Sequence, residues 1–158
     1  MINQEISIRK AVIEDLPVLL QHEQGVIASE RPFDPTIRNN DITYYDLHAL
    51  MSNSRAVVLV ACEGEKIVAT GYALEKPARH YLDHETFAYL GFMYTDPEYR
   101  GRGINGKIIS GLQQWVSSIG LVEMRLHVYN ENEPAIRAYE KVGFKKHMVE
   151  MRFRTKLE

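Results

Sequence analysis

The chain has 158 residues, 45% of them hydrophobic and 25% charged, with a net charge of −2 at neutral pH. That length buries roughly two thirds of the surface an unfolded chain exposes, so one domain over 1–158 with a proper core is expected. The charge balance gives no footing for a nucleic-acid partner, and the single Cys62 excludes an internal disulfide and fits a reducing, cytoplasmic setting.

The opening MINQEISIRKAV has no long apolar core and no small-residue cleavage site, so a secretory signal is not expected. No apolar run approaches the roughly 18 residues of a membrane span, and no membrane partner is expected. ISIRKA (6–11) alternates like a half-buried strand. A helix is expected over Glu14–Gln24, with Glu14 and Asp15 opening its first turn and Leu16, Leu19 and Leu20 on one face. ASERPFDPTIRNND (28–41) reads as a loop, and a second helix is expected near Ile42–Ser52, its stripe formed by Ile42, Tyr45, Ala49 and Leu50. AVVLVAC (56–62) and KIVATGYAL (66–74) read as strands joined by a hairpin at EGEK. KPARHYLDHE (76–85) is irregular, and TFAYLGFMYT (86–95) is a strand with Gly91 marking a bulge or a close backbone approach.

Ile104, Ile108, Leu112, Trp115, Val116 and Ile119 follow the helical period, and Gly120 closes that helix. VEMRLHVY (122–129) reads as a strand. NENEPAIRAYEKVGF holds a short helix with Asn132 as N-cap, Pro134 in the first turn and Gly143 at its end. FKKHMVEMRF (144–153) reads as a last strand. The order is β-α-α-β-β-β-α-β-α-β, a mixed α/β (α+β) fold with a central sheet flanked by helices.

YRGRGING (99–106) matches one glycine-rich phosphate loop and nearly matches two more. As G-x-G-x-x-G it would bind a dinucleotide, but DPEYR separates it from its strand, and too little chain follows for a fold of two halves. As a P-loop it fails at Ile108, where a magnesium-binding Ser or Thr belongs. As R-x-x-G it opens a helix whose first backbone amides have no partner inside the helix. Glycines let a pyrophosphate approach those amides, and Arg100, Arg102 and Lys107 add positive charge.

YTDPEYRGRGINGKIISGL and NENEPAIRAYEKVGF together resemble the two signatures of the GNAT superfamily of N-acetyltransferases, and the element order resembles that family from end to end. Asn105 stands where the family usually has Gly or Ala, with Gly106 following to keep the turn sterically open. The resemblance implies a GNAT-like acyl-CoA N-acyltransferase fold and an acetyl-CoA-dependent N-acetyltransferase. Acetyl-CoA would lie between strands 86–95 and 122–129. Backbone groups of Met93, Tyr94 and Thr95 would hold its pantetheine arm, and Arg100, Gly101, Arg102, Gly103, Asn105, Gly106 and Lys107 its pyrophosphate. Phe92 and Met93 would polarise the thioester carbonyl through their backbone N–H groups. Tyr139 would act as general acid to the departing thiolate. Asn132 would orient the coenzyme, cap its helix, or both. The resemblance also implies a homodimer. The rival reading is a GNAT-like module that binds acetyl-CoA as a sensor or interaction surface without catalysis.

The acceptor would be a primary amine of a small molecule or a protein. A lysine-like amine is neutral in only about one part in 2,500 at pH 7, a cost of about 4.6 kcal/mol, whereas an α-amino group loses only about 1 kcal/mol. Glu85, His84, Tyr89 and His127 are candidate bases, with Glu85 carried forward. Glu23, Glu30, Asp34, Asp41 and Asp46 read first as a solvated polar face and second as a surface suited to a cationic amine. HYLDHE (80–85) matches no trusted metal spacing, so no metal is expected.

Overall fold

The computed structural model describes residues 4–156. Strand β1 (Ile6–Lys10) leads through a single 3₁₀ turn, Ile13–Asp15, into α1 (Leu16–Glu30). Then follow α2 (Leu47–Ser52), β2 (Ala56–Glu63), β3 (Lys66–Pro77) and β4 (Thr86–Thr95). A second 3₁₀ turn, Pro97–Tyr99, precedes α3 (Ile104–Ser118), β5 (Met124–Arg125) and α4 (Glu133–Lys141). The strands lie in the order β1-β2-β3-β4-β5. The first three pairings are antiparallel and β4–β5 is parallel.

Strand β2 shows why the sheet is buried on both sides. Its residues alternate between two cores, as period 2 requires. Val57, Leu59 and Ala61 face α3, meeting Ile104, Ile108, Leu112 and Val116. Val58, Val60 and Cys62 face the opposite layer, meeting Leu19, Val26 and Leu47 of α1 and α2. Tyr72 of β3 is paired across the sheet with Gly91, and its ring lies so close that a Cβ at Gly91 would come within 2.5 Å of it. Glycine is therefore required there for space, as its position inside a strand implied.

Several elements differ from the sequence expectation. Helix α1 runs six residues past Gln24 to Glu30, because Val26 and Ile27 are buried and the Tyr94 ring seats directly on Gly25. Helix α2 begins at Leu47 rather than Ile42, because Asp46 caps it by accepting from the Ala49 N–H at 2.9 Å. The strand expected over 122–129 pairs only at Met124 and Arg125.

The last strand, expected over 144–153, does not form: Phe144–Lys156 carries neither helix nor strand. Val149, Met151 and Phe153 do alternate, but they are 79%, 89% and 90% exposed. A strand forms when its apolar face has a surface to cover and its backbone has a ladder to join, and β5 offers too short a ladder. The tail is tethered instead by Arg152, whose guanidinium lies 3.0 Å from Asp34. No helix among the described residues is long and apolar enough to cross a membrane.

Candidate active site

Strand β4 is irregular at its centre. Thr70 pairs with Tyr94 and Tyr72 with Gly91, so Phe92 and Met93 together stand opposite Gly71 in a bulge. Phe92 takes a left-handed φ of 56°, an uncommon conformation for a bulky side chain. Its ring is buried against Tyr45 at 5.2 Å, and its carbonyl accepts from the Thr70 hydroxyl at 3.0 Å. Strain of this kind costs on the order of 1–3 kcal/mol and persists only where the surroundings impose it.

Beyond Tyr89 the strands part. Parallel pairing with β5 covers only Ala88–Met124 and Tyr89–Arg125. The edge of β4 from Leu90 to Thr95 therefore has no strand partner among the described residues. The side chains there point away from the opening: Tyr94 packs on His22 and Gly25 of α1, and the Met93 sulfur lies against Gly71. Backbone groups of Met93, Tyr94 and Thr95 are what this edge presents.

The glycine loop lies past the end of β4. Gly101 and Gly103 adopt φ of 77° and 74°, which only glycine takes without strain. Gly103 is the N-cap of α3 and supplies no side-chain cap, so the first amides of α3 remain free donors. A Cβ at Gly101 or Gly103 would meet nothing within 4 Å, so the space over these amides is open. Arg100 donates to the Thr95 carbonyl at 3.1 Å and Arg102 to the Glu98 carbonyl at 3.2 Å. Arg102 also stacks 4.7 Å over the Tyr99 ring. Lys107 is exposed on the first turn of α3. Three cations, free amides and open space above them fit a pyrophosphate.

Asn132 caps α4, accepting from the Ala135 N–H at 3.4 Å. Tyr139 of α4 is half-buried and packs edge-on to Phe144, with ring centroids 5.9 Å apart. Burial first, then the negative charge of Glu30 and the Tyr89 hydroxyl, pushes its pKa up to about 12. A tyrosine held there stays protonated and can donate.

A second cluster lies on α1. Helix α1 carries Glu23 and Glu30 two turns apart, hence on one face. Glu23 is 0% exposed, and its Oε2 accepts from the Tyr44 and Tyr45 backbone N–H groups at 3.0 and 2.8 Å. That grip ties the Tyr44–Tyr45 segment to α1. Burial raises the Glu30 pKa, opposed by the Tyr44 hydroxyl. Phe33, three residues on, stacks at 5.7 Å on Tyr129 beyond β5.

A family model described as "Acetyltransferase (GNAT) family" matches residues 24–144. The chain belongs to that family. Mycothiol acetyltransferase of Corynebacterium aurimucosum is 36% identical over 66 residues, covering 41% of this chain and 21% of that protein. Thialysine N-epsilon-acetyltransferase of Bos taurus is 34% identical over 77 residues, covering 46% and 42% respectively. The chain thus spans less than half the length of these curated relatives. A predicted acetyltransferase from Clostridium acetobutylicum, solved with acetyl-CoA, shares the fold with a TM-score of 0.75 at 22% identity, covering 95% of this chain and 96% of that one.

Within this GNAT frame the sequence-named residues fall into two groups. The backbone of Phe92, Met93, Tyr94 and Thr95 lies on the edge of β4 left unpaired by β5, and the loop from Arg100 to Lys107 leads from there into the start of α3. Asn132 is engaged in capping. Glu85 is exposed at the start of β4, its carbonyl accepting from the Ala78 N–H at 2.8 Å, and none of its contacts joins it to Tyr139. His84 is committed to Asp83 at 2.8 Å and Glu123 at 2.7 Å. His127 lies 3.4 Å from the Tyr89 hydroxyl.

The acidic residues of 23–46 are not one solvated face. Glu23 is buried, and Asp34 accepts from Thr36 at 2.6 Å and pairs with Arg152. Asp46 caps α2, while Asp41 is exposed. Glu30 is half-buried at the end of α1. Sequence reasoning missed the grip of Glu23 on the Tyr44 and Tyr45 amides, since nothing local to Glu23 marks it as buried.

Proposed function

We propose that this chain is an N-acetyltransferase that moves an acetyl group from acetyl-CoA to a primary amine by direct attack. The observations that support the reading are the edge of β4 left unpaired beyond Tyr89, the free amides at the start of α3, and Tyr139 on α4, the helix whose end brings Val142 beside Gly106 of α3. Arg100, Arg102, Lys107 and the amides after Gly103 hold the pyrophosphate of the substrate. The backbone of Met93–Thr95 holds its pantetheine arm by strand-like hydrogen bonds. The neutral amine nitrogen attacks the thioester carbonyl; the new C–N bond forms as the C–S bond breaks, Tyr139 gives its proton to the departing sulfur, and the proton the nitrogen loses, passed through solvent, restores the tyrosine. Backbone N–H groups at the Phe92–Met93 bulge stabilise the developing oxyanion.

The relatives' names support this reading: one acts on thialysine, and an aminoglycoside 6'-N-acetyltransferase shares the fold with a TM-score of 0.71 at 16% identity. A cytoplasmic setting, suggested by the single Cys62, and a homodimer, suggested by family resemblance, are proposed with it. A monomeric mass in solution would contradict the dimer. The test of transfer is release of free thiol from acetyl-CoA across a panel of amines. Acetyl-CoA binding with no release for any amine would replace the enzyme by a sensor or interaction module.

A further inference from the structure

Resting on the transfer reading, we infer that Tyr99 is a positioning residue for acetyl-CoA: Glu63 of the β2–β3 hairpin fixes its ring, and the ring fixes Arg102 where that cation meets the pyrophosphate. The contacts run from the hairpin into the glycine loop. Glu63 and Lys66 are register partners on either side of the turn that joins β2 to β3. The Tyr99 hydroxyl donates to Glu63 Oε2 at 2.7 Å. The Lys66 ammonium and the Arg102 guanidinium each lie 4.7 Å from the centroid of the Tyr99 ring. That ring is buried, in the core that α3 builds with Ile104 and Ile108. A packed ring with its hydroxyl tied is held in one orientation. The turn that carries it is tied to β3 as well: the Asp96 N–H donates to the Val68 carbonyl at 2.8 Å, and the Asp96 carboxylate lies 3.6 Å from Lys66.

The two cations on the ring differ in what neutralises them. Lys66 has Asp96 and, at 4.0 Å, Glu98. Arg102 donates to the Glu98 carbonyl at 3.2 Å and forms no salt bridge among the described residues. Its charge is left for an anion, and a guanidinium donates to phosphate oxygens in pairs. The need for a restraint is visible in the backbone. Arg102 is exposed and stands between Gly101 and Gly103, which have no side chains to confine it. An arginine free to rotate must be ordered by the ligand, at a cost to affinity; one already held on a ring is not. In this reading Tyr99 acts on the pyrophosphate end of the substrate, so its loss weakens binding and spares the chemical step.

The test is calorimetric titration with acetyl-CoA of the wild type, Tyr99→Leu, Arg102→Gln and the double variant. Tyr99→Leu should weaken binding about three- to tenfold. Its KM for acetyl-CoA should rise by as much, while kcat with the amine that releases most thiol stays within about twofold. Added to Arg102→Gln, the same change should weaken binding by less than about twofold further. Equal factors in the two backgrounds would mean that Tyr99 supports the loop as a whole, and overturn the inference. A fall in kcat with KM unchanged would also overturn it. Tyr99→Phe keeps the packed ring and loses the bond to Glu63, so it tests the same chain of contacts if leucine is not tolerated in the core. It should weaken binding about two- to threefold in the presence of Arg102 and not in its absence; a loss that persists in Arg102→Gln overturns the inference. The two levels separate on the wild type. If it binds no acetyl-CoA, the transfer reading fails and takes this one with it; if it binds and Tyr99→Leu binds equally well, only the Tyr99 assignment fails.

Discussion

Glu23 offers the sharpest test of how the structure is held. The residue is a carboxylate with no exposed surface, yet only one oxygen is used: Oε2 serves the Tyr44 and Tyr45 amides, and Oε1 has no partner among the described residues. Glu23→Ala leaves two amide donors without an acceptor. Each unsatisfied buried donor costs about 1–3 kcal/mol. Both amides here are part-buried, so the lower half of that range applies, or about 2–4 kcal/mol for the pair. Relief of the buried carboxylate offsets a part of this. A net loss of about 2–3 kcal/mol is expected, out of the roughly 5–15 kcal/mol typical of a domain. At about 2–4 °C per kcal/mol for this size, the melting temperature should fall by about 4–12 °C. Glu23→Gln keeps an acceptor on the two amides but buries an NH₂ where Oε1 now stands unpaired, so its cost should be intermediate. Urea denaturation of the three proteins measures all of this. A Glu23→Ala protein within about 0.5 kcal/mol of the wild type would refute the role given to this carboxylate.

Gly103→Ala forces an alanine to φ 74° with open space around its Cβ; unfolding free energy should drop by about 1–2 kcal/mol, and calorimetry should show acetyl-CoA binding about tenfold weaker because the methyl group stands over the α3 amides. Equal affinity would move the pyrophosphate elsewhere. Tyr139→Phe should lower kcat and leave acetyl-CoA affinity within about twofold; with the hydroxyl pKa pushed up to about 12, the wild type should lose no turnover to Tyr139 ionisation below about pH 10. Asp34, held by Thr36 and then Arg152, has its pKa lowered from 3.8 to about 2. A depressed carboxylate stabilises the fold above its unfolded pKa and loses that contribution as pH falls through the folded value. The melting-temperature gap between wild type and Asp34→Asn should therefore be full above about pH 5 and close toward pH 2.

How much was legible depends on whether a signal was local. Helix α3 and its loop were readable because Ile104, Ile108, Leu112 and Val116 keep one period and two glycines punctuate its start. Strand β4 was readable to the residue, as alternating aromatics bounded by polar runs. The end of α1 was not, because Gly25 weakens a helix on propensity alone. What overrides it is the Tyr94 ring from a strand nearly seventy positions away. The final strand was readable as a pattern but lacks a ladder, a tertiary condition that alternation cannot report. Glu23 looked like surface because charged residues are rarely buried; its burial follows from two backbone donors that only the fold supplies.

The account stands on which ligand the glycine loop accepts. Calorimetric titration of the wild-type chain with acetyl-CoA, NADH and ATP–magnesium, each alone, tests that most directly. Acetyl-CoA should bind and the other two should not, and acetyl-CoA at one hundred times its Kd should stabilise the fold by about 2.7 kcal/mol. Binding of NADH or ATP–magnesium in its place, or of none of the three, would contradict the account.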